Sequence, residues 1–245
     1  MIDIHCHLLP GIDDGPRDLD ESIAMARLAV KNGITHAVVT PHVHPGRYFN
    51  TAKSIASACD SFREELIKRD IPLQLGFAGE VRLGPEIMQL VARDEIPFYG
   101  EVDGYQVMLL ELPHSHVPPG SDKLVRWLLD QKIRPMIAHP ERNKGIMTTI
   151  DMIQPFVEMD CLFQLTAGSV AGQFGEPARR CAVQLLERGV VTVLASDAHN
   201  LQYRPPRLSD GVNVAAAIVG EKQALRLVSE KPRKLVAGQN GFDFS

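Results

Sequence analysis

The feature of this sequence that most constrains its fold is a regular alternation of short apolar runs with amphipathic segments of helical period. The apolar runs predict buried strands, and the segments between them predict helices that connect parallel neighbours. The predicted strands are Met1–Ile4, Ala37–Thr40, Leu73–Ala78, Tyr105–Leu110, Pro135–Ala138, Cys161–Leu165 and Val190–Ala195. The predicted helices are Leu19–Asn32, Thr51–Arg69, Pro85–Arg93, Asp122–Gln131, Ile150–Glu158, Pro177–Arg188 and Asp210–Val219.

This repetition predicts an α/β protein with a parallel sheet and crossover helices. In a chain of 245 residues, seven or eight such repeats favour a closed or nearly closed barrel over a doubly wound open sheet. Asp18 or Asp20 before the first helix and Gly33 after it are suitable capping residues. No low-complexity or linker-like stretch divides the sequence, so a single domain over residues 1–245 is expected.

The composition excludes several classes of protein. Hydrophobic residues make up 44% of the chain and charged residues 23%, so a sizeable core can form and general disorder is not expected. Acidic residues outnumber basic ones by 30 to 26, which argues against a nucleic-acid partner bound through bulk charge. No apolar run approaches the roughly 18 residues of a membrane span, and the N-terminus lacks a signal-peptide pattern. Four scattered cysteines without a CxxC pair indicate a reducing cytoplasm.

Potential metal ligands follow nearly every predicted strand. They occur in the segments HCH (5–7), DD (13–14), HVH (42–44), GE (79–80), ELPH (111–114), HPER (139–142) and SDAH (196–199). The carboxyl ends of parallel strands meet at one rim of an α/β barrel, where active sites lie. Imidazoles and carboxylates that converge from six strand ends therefore predict a metal site at this rim.

Single residues in these segments also have simpler explanations. His5 and His7 share one strand face and can be hydrogen-bonded core residues, whereas Cys6 points towards the packing helices. Glu80 can form a salt bridge with Arg82. The histidine near the start of the second strand, His36, is expected to be structural. Three histidines just past strand ends are either solvated or support the ligands, namely His44, His114 and His116.

Several catalytic classes lack their motifs. The sequence contains no P-loop, no dinucleotide-binding glycine pattern and no nucleophile elbow. None of the four cysteines is followed six positions later by arginine, which excludes a thiolate phosphatase of the C-x5-R type.

The chain resembles the polymerase-and-histidinol-phosphatase (PHP) family of metal phosphoesterases in the segments MIDIHCHLLPGIDDG, TPHVHPGRYFN, GFAGEV, LLELPH, IAHPER, QLTAGS and LASDAHN. More narrowly, it resembles the manganese-dependent protein-tyrosine phosphatase branch of bacteria, which accompanies capsule and exopolysaccharide synthesis. The resemblance spans essentially the whole chain. It implies a distorted (β/α)7 TIM-like barrel, the PHP fold.

The resemblance also implies a site for three divalent metal ions, usually Mn²⁺, with Fe, Zn, Co or Mg as alternatives. The implied ligands are His5, His7, Asp14, His42, Glu80, Glu111, His139, Asp197 and His199. Arg142 and Arg204 would hold the phosphate, and two of the ligands, His42 and His199, would lie close to the reaction. The sequence leaves Asp13 open as an alternative to Asp14. Either arginine can instead be solvated or pair with Glu141.

The implied activity is hydrolysis of phosphotyrosine in a protein, with the tail of a bacterial tyrosine autokinase as the expected substrate. Three divalent ions would outweigh four carboxylates by two charges, which suits a phosphate dianion, and metal-activated hydroxide would replace a cysteine nucleophile. The alternatives are another PHP activity on a small phosphomonoester such as histidinol phosphate or on nucleic acid, an amidohydrolase-like metal hydrolase, and a metal-stabilised binding module. Nucleic-acid binding and membrane insertion are not expected, and the oligomeric state stays open.

Overall fold

Strands and helices alternate along the computed structural model, which describes residues 1–239 and 241–244. The strands are β1 (Ile2–Cys6), β2 (His36–Val39), β3 (His42–Val43), β4 (Gln74–Phe77), β5 (Glu80–Arg82), β6 (Glu101–Val102), β7 (Tyr105–Glu111), β8 (Ile133–Ala138), β9 (Leu162–Thr166) and β10 (Val193–Ala195). The α-helices are α1 (Leu19–Lys31), α2 (Ala52–Lys68), α3 (Ile87–Ala92), α4 (Ser121–Asp130), α5 (Lys144–Thr148), α6 (Gln154–Glu158), α7 (Ala167–Val170), α8 (Glu176–Glu187), α9 (Ser209–Val219), α10 (Glu221–Arg226) and α11 (Glu230–Val236). Short 3₁₀ helices cover Pro140–Arg142 and Ile150–Ile153.

The strands form two parallel groups, with the orders β1-β2-β4 and β10-β9-β8-β7-β5-β3, and β6 adds an antiparallel pair with β7. Only two residues separate β2 from β3, and only two separate β4 from β5. Each of these two chain segments therefore contributes one strand to the first group and the next strand to the second group. An isolated parallel bridge between Cys6 and Ala198 links the regions that follow β1 and β10. The predicted α/β fold with a parallel sheet is confirmed. The strand order is consistent with a distorted barrel whose second and third strands are interrupted.

The boundaries of most predicted elements agree with the structure to within a few residues. The predicted helix Ile150–Glu158 is instead a 3₁₀ turn followed by α6, because Pro155 in the first turn of α6 favours a helix start there. The sequence pattern does not indicate several short strands and helices, which are too short to show a clear hydrophobic period or lie near the C-terminus: β3, β5, β6, α5, α7, α10 and α11. That residues 1–245 form a single domain stays a prediction.

Helix α1 has the predicted caps. The Asp18 carboxylate accepts a hydrogen bond from the Glu21 amide at 2.9 Å, so Asp18 rather than Asp20 is the N-cap. Gly33 follows the helix with a φ of 83°, a left-handed conformation that glycine adopts without steric cost.

Two clusters of buried apolar side chains form the core, and β1 contributes to both. The pairing of β1 with β2 is irregular between Asp3 and Cys6. Ile4 belongs to the smaller cluster with Tyr99, whereas Cys6 is fully buried in the larger cluster, as predicted. A break in strand register can redirect side chains near functional sites, and here the irregular stretch includes His5. No helix in the described ranges has the length and apolar character that a bilayer crossing requires.

Candidate metal centre

The strand ends bring eight of the nine implied ligands into three adjacent groups, in each of which the ligand atoms lie within 4.8 Å of one another. The groups are His5, His7, Glu80 and Asp197; His7, Asp14, His42 and His199; and His42, Glu80 and Glu111. Because His7, His42 and Glu80 each belong to two groups, the three groups form one continuous cluster, here called the ligand cluster. The ninth residue, His139, joins it through Glu80.

Glu80 lies at the centre of the ligand cluster. Its Oε2 is 3.3 Å from the Nε2 atoms of both His5 and His7 and 3.1 Å from His42 Nδ1. Its Oε1 is 2.7 Å from His139 Nε2. Burial alone would raise the pKa of this carboxyl group, but His5 and His42 hold the pKa well below its ordinary value. A single buried carboxylate thus connects residues from three other strand ends.

Four buried ligand atoms in the cluster lack a hydrogen bond within the described structure: Glu80 Oε2, Asp197 Oδ1, His42 Nδ1 and His199 Nε2. Leaving one buried polar atom unsatisfied costs about 1–3 kcal/mol. Imidazole nitrogens and carboxylate oxygens are donors to divalent transition-metal ions, and a bound ion would satisfy several of these atoms together. The residues present therefore fit a metal centre.

The structure gives Asp13 and Asp14 different surroundings. Asp13 Oδ2 lies 2.6 Å from His7 Nδ1 and accepts a hydrogen bond from the His42 amide at 3.1 Å. Burial opposes protonation of His7, but Asp13 raises the pKa of His7 to about 9. Asp14 Oδ1 instead lies 3.1 Å from His42 Nε2 and 3.5 Å from His199 Nε2. The geometry therefore favours Asp14 as a ligand and Asp13 as the residue that orients the His7 ring.

Asp197 has two oxygens with different partners. Its Oδ2 accepts hydrogen bonds from both Arg142 and Arg204, whereas Oδ1 lies 3.2 Å from His5 Nε2. Burial would raise the pKa of the Asp197 carboxyl group, but the two guanidinium groups hold it well below its ordinary value. The Arg142 side chain is 15% exposed and hydrogen-bonded to Asp197, so its hydrogen-bonded partner in the structure is Asp197 and not solvent.

Glu111 carries the salt bridge that the sequence analysis considered for Glu80. Arg82 Nη1 lies 3.0 Å from Glu111 Oε1. The reason is the register of the parallel ladder, which places Arg82 of β5 directly beside Glu111 of β7. Among the described residues, Glu80 therefore forms no salt bridge with an arginine and faces the imidazoles.

Gln164 is a site residue that the sequence analysis missed. Its fully buried side chain lies in β9, and its Oε1 is 2.8 Å from His5 Nδ1 and accepts a hydrogen bond from the His139 amide at 3.2 Å. It therefore orients the His5 ring with Nε2 towards the cluster and fixes the backbone of His139, which has a φ of 31°. The available signal was a polar residue inside an otherwise apolar strand, since a buried amide needs a partner.

The remaining histidines lie outside the three groups. His36 stacks on Phe244 with ring centroids 4.6 Å apart, which agrees with the expected structural role. The His44 backbone pairs with Tyr48 in a turn, and the His116 ring is hydrogen-bonded to Ser115. His114 lines a cleft of about 380 Å³ together with Arg142 and Arg204.

The fold and the ligand cluster define this chain as an α/β protein with a candidate polynuclear metal centre at the ends of its strands. Residues 1–237 match the model of the family described as "Capsular polysaccharide synthesis, CpsB/CapC". The chain belongs to this family.

Relatives of known name agree with this assignment. The tyrosine-protein phosphatase YwqE of Bacillus subtilis is 38% identical over 204 residues, which are 83% of this chain and 79% of YwqE. The tyrosine-protein phosphatase CpsB of Streptococcus pneumoniae is 28% identical over 246 residues, 98% of this chain and 99% of CpsB. A crystal structure from a study of these two proteins, described there as unique metal-dependent tyrosine phosphatases, matches with a TM-score of 0.89 and 35% identity. That match covers 99% of this chain and 96% of the other.

Proposed function

We propose that this chain is a metal-dependent protein-tyrosine phosphatase that acts on a bacterial tyrosine autokinase controlling capsule or exopolysaccharide synthesis. One observation carries the proposal: buried ligand atoms without partners lie beside two arginines that face the same cleft. Membership in a capsular polysaccharide synthesis family and relatives named tyrosine phosphatases support it.

The proposed cofactor is a set of three divalent ions, most commonly Mn²⁺. The three groups of ligand atoms support this number. The proposed ligands are His5, His7, Asp14, His42, Glu80, Glu111, His139, Asp197 and His199. When bound, such ions supply Lewis acidity, charge neutralisation and an activated water for hydrolysis.

The protein's own residues bind and orient the phosphoryl group. Asp197 already fixes Arg142 and Arg204, so their remaining N–H donors are held ready for phosphoryl oxygens. The proposed reaction takes place beside His42 and His199, because they share a group with Asp14, whose side chain is 42% exposed. This group is the side of the ligand cluster that solvent and substrate reach.

The leaving group explains why an aryl phosphate suits this site. A tyrosine phenolate has a conjugate-acid pKa of about 10, so it departs with less protonation than an alkoxide, whose basicity is nearer that of hydroxide. The site therefore needs no strong general acid for a phosphotyrosine substrate. For the same reason, an alkyl phosphomonoester such as histidinol phosphate is expected to be the poorer substrate.

The four cysteines do not provide a competing nucleophile. All are free and buried, and burial raises the pKa of Cys59 to about 11 and those of Cys161 and Cys181 to about 12. Burial also raises the pKa of Cys6 well above its ordinary value. Free thiols are typical of reducing compartments, so we include a cytoplasmic location in the proposal.

A comparison of substrates tests the proposed function. The Mn²⁺-loaded protein is assayed with a phosphotyrosyl peptide, histidinol phosphate, single-stranded DNA and a cyclic amide. We expect kcat/KM for the phosphotyrosyl peptide to exceed every other value by about tenfold or more, equivalent to at least about 1.4 kcal/mol in the barrier. Preference for histidinol phosphate, DNA or the amide would instead support the corresponding alternative activity.

A further inference from the structure

The cleft beside the ligand cluster is larger and less polar than a phosphate group needs. Its volume is about 380 Å³, and its walls include Met147, Phe174, Pro177 and Ala178 besides the two arginines. A cavity of about 150 Å³ can hold a benzene molecule, so this cleft has room for a phenol ring. We propose that it binds the aromatic ring of the substrate and that Phe174 determines the preference for aryl over alkyl phosphate esters. This inference rests on the proposed phosphatase function.

Arg142 connects the ligand cluster to the cleft. Its Nη1 donates to Asp197 in the cluster, while its Cζ lies 4.9 Å from the centroid of the Phe174 ring. A phosphoryl group held by the remaining donors of Arg142 therefore lies near the Phe174 ring. Aromatic pairs prefer centroid separations of 4.5–7 Å, a range that a substrate ring in this cleft can satisfy.

The backbone around Phe174 fixes the position of its ring. Gly172 and Gly175, with φ values of 88° and 86°, form the turn that carries Phe174 between α7 and α8. A Cβ atom at Gly168 would lie only 3.1 Å from Phe174 Cε2, so the glycine permits the ring to pack against α7. The Phe174 side chain is half-buried, which leaves part of it available to a ligand.

The charge of the cleft distinguishes between candidate leaving groups. Arg142 and Arg204 contribute two positive charges, of which Asp197 behind them offsets one, and none of the described residues that line the cleft is acidic. The ammonium group of histidinol phosphate would be repelled there. A neutral aromatic ring gains from the apolar wall and from the cation–π character of the arginines. The cleft therefore fits a tyrosyl ring better than a cationic aminoalkyl group.

The test compares two non-hydrolysable phosphonates that differ only in the ring, phenylphosphonate and methylphosphonate. Their inhibition constants are measured for the Mn²⁺-loaded full chain against a phosphotyrosyl peptide. We expect wild-type protein to bind phenylphosphonate about tenfold more tightly than methylphosphonate, and Phe174→Ala to lower this ratio about tenfold. Phe174→Tyr should retain the ratio. Phe244→Ala should also retain the ratio, because this control removes a ring that stacks on His36 and does not line the cleft.

The possible results distinguish the proposed binding of the aromatic ring in the cleft from the proposed phosphatase function. A wild-type ratio in Phe174→Ala would overturn the ring subsite and leave the phosphatase function intact. Equal weakening of both phosphonates would also overturn it, because Phe174 would then act only by positioning Arg142. If Mn²⁺-loaded wild-type protein hydrolyses no phosphotyrosine, the proposed function is wrong, and the same ratio measured by titration calorimetry still decides whether the cleft binds a ring.

Discussion

Glu80→Ala is expected to lower kcat with a phosphotyrosyl peptide by at least about 10³-fold and to reduce the amount of bound metal. Glu80 Oε2 lies within 3.3 Å of ligand nitrogens of His5, His7 and His42, and it has no hydrogen bond of its own. No other side chain in the cluster lies as close to three imidazoles. Its loss removes a negative charge that two of the three ligand groups share.

Metal content measured by inductively coupled plasma mass spectrometry, together with kinetics on the same sample, checks this prediction. Glu80→Gln retains the side-chain size and shows the same loss if charge is responsible. Glu64→Ala is the matched control, since Glu64 is 73% exposed on α2. Thermal unfolding establishes that the variants are folded. Wild-type metal content and wild-type kcat in folded Glu80→Ala would show that Glu80 is not a ligand.

Arg142→Ala and Arg204→Ala are each expected to lower kcat/KM for the phosphotyrosyl peptide by about 10- to 100-fold. This range corresponds to about 1.5–3 kcal/mol for hydrogen bonds to a charged group. Both guanidinium groups bind the same Asp197 oxygen, so the effects in the double variant should not be additive. Arg→Lys at either position should also impair activity, because an ammonium group cannot donate two parallel hydrogen bonds.

Metal content distinguishes the two roles that these arginines can have. If they bind phosphate, metal content stays at the wild-type level while KM for the peptide rises. If they serve only to position Asp197, metal is lost together with activity, and the phosphate-binding role is wrong. Arg179→Ala is a suitable control, because Arg179 pairs with Glu176 at the exposed start of α8. Wild-type kinetics in the double variant would refute both roles.

Much of this arrangement could be predicted from the sequence, because strand period and strand ends are local properties. The spacing of His5 and His7 placed both on one strand face and Cys6 on the other, and the structure confirms that Cys6 is buried in the larger core cluster. The rule that parallel strands end at one rim was enough to gather Glu80 and Asp197 at one site. Neither inference required knowledge of contacts between distant residues.

The interruptions in the second and third strands could not be predicted in this way. Glu80 does not follow the third strand directly but begins a separate short strand, β5. The break before it includes Gly79, where a Cβ atom would lie 2.7 Å from Pro97 Cγ and 2.8 Å from Val43 Cγ2. Pro41 lies in the corresponding break before β3 and has no amide hydrogen for a ladder. Such close approaches depend on neighbours that are distant in sequence.

The partners of the charged and polar site residues could not be predicted from the sequence either. Gln164 and its partner His5 are 159 positions apart in the sequence, and Arg142 and its partner Asp197 are 55 positions apart. Arg82 pairs with Glu111 instead of Glu80 because of strand register. A local pattern shows that a buried polar residue needs a partner, but only the tertiary fold determines which one.

Bound divalent metal, and not a thiol, is expected to be responsible for phosphotyrosine hydrolysis by this chain. The most direct measurement follows turnover of a phosphotyrosyl peptide while metal is removed by chelation and then restored in known equivalents of Mn²⁺, with an iodoacetamide-treated sample in parallel. We expect turnover to fall at least about 10²-fold on metal removal, to return in proportion to bound Mn²⁺ up to about three ions per chain, and to be unaffected by alkylation of the buried cysteines. Full turnover after exhaustive metal removal, or its loss on alkylation of folded metal-loaded protein, would contradict this account.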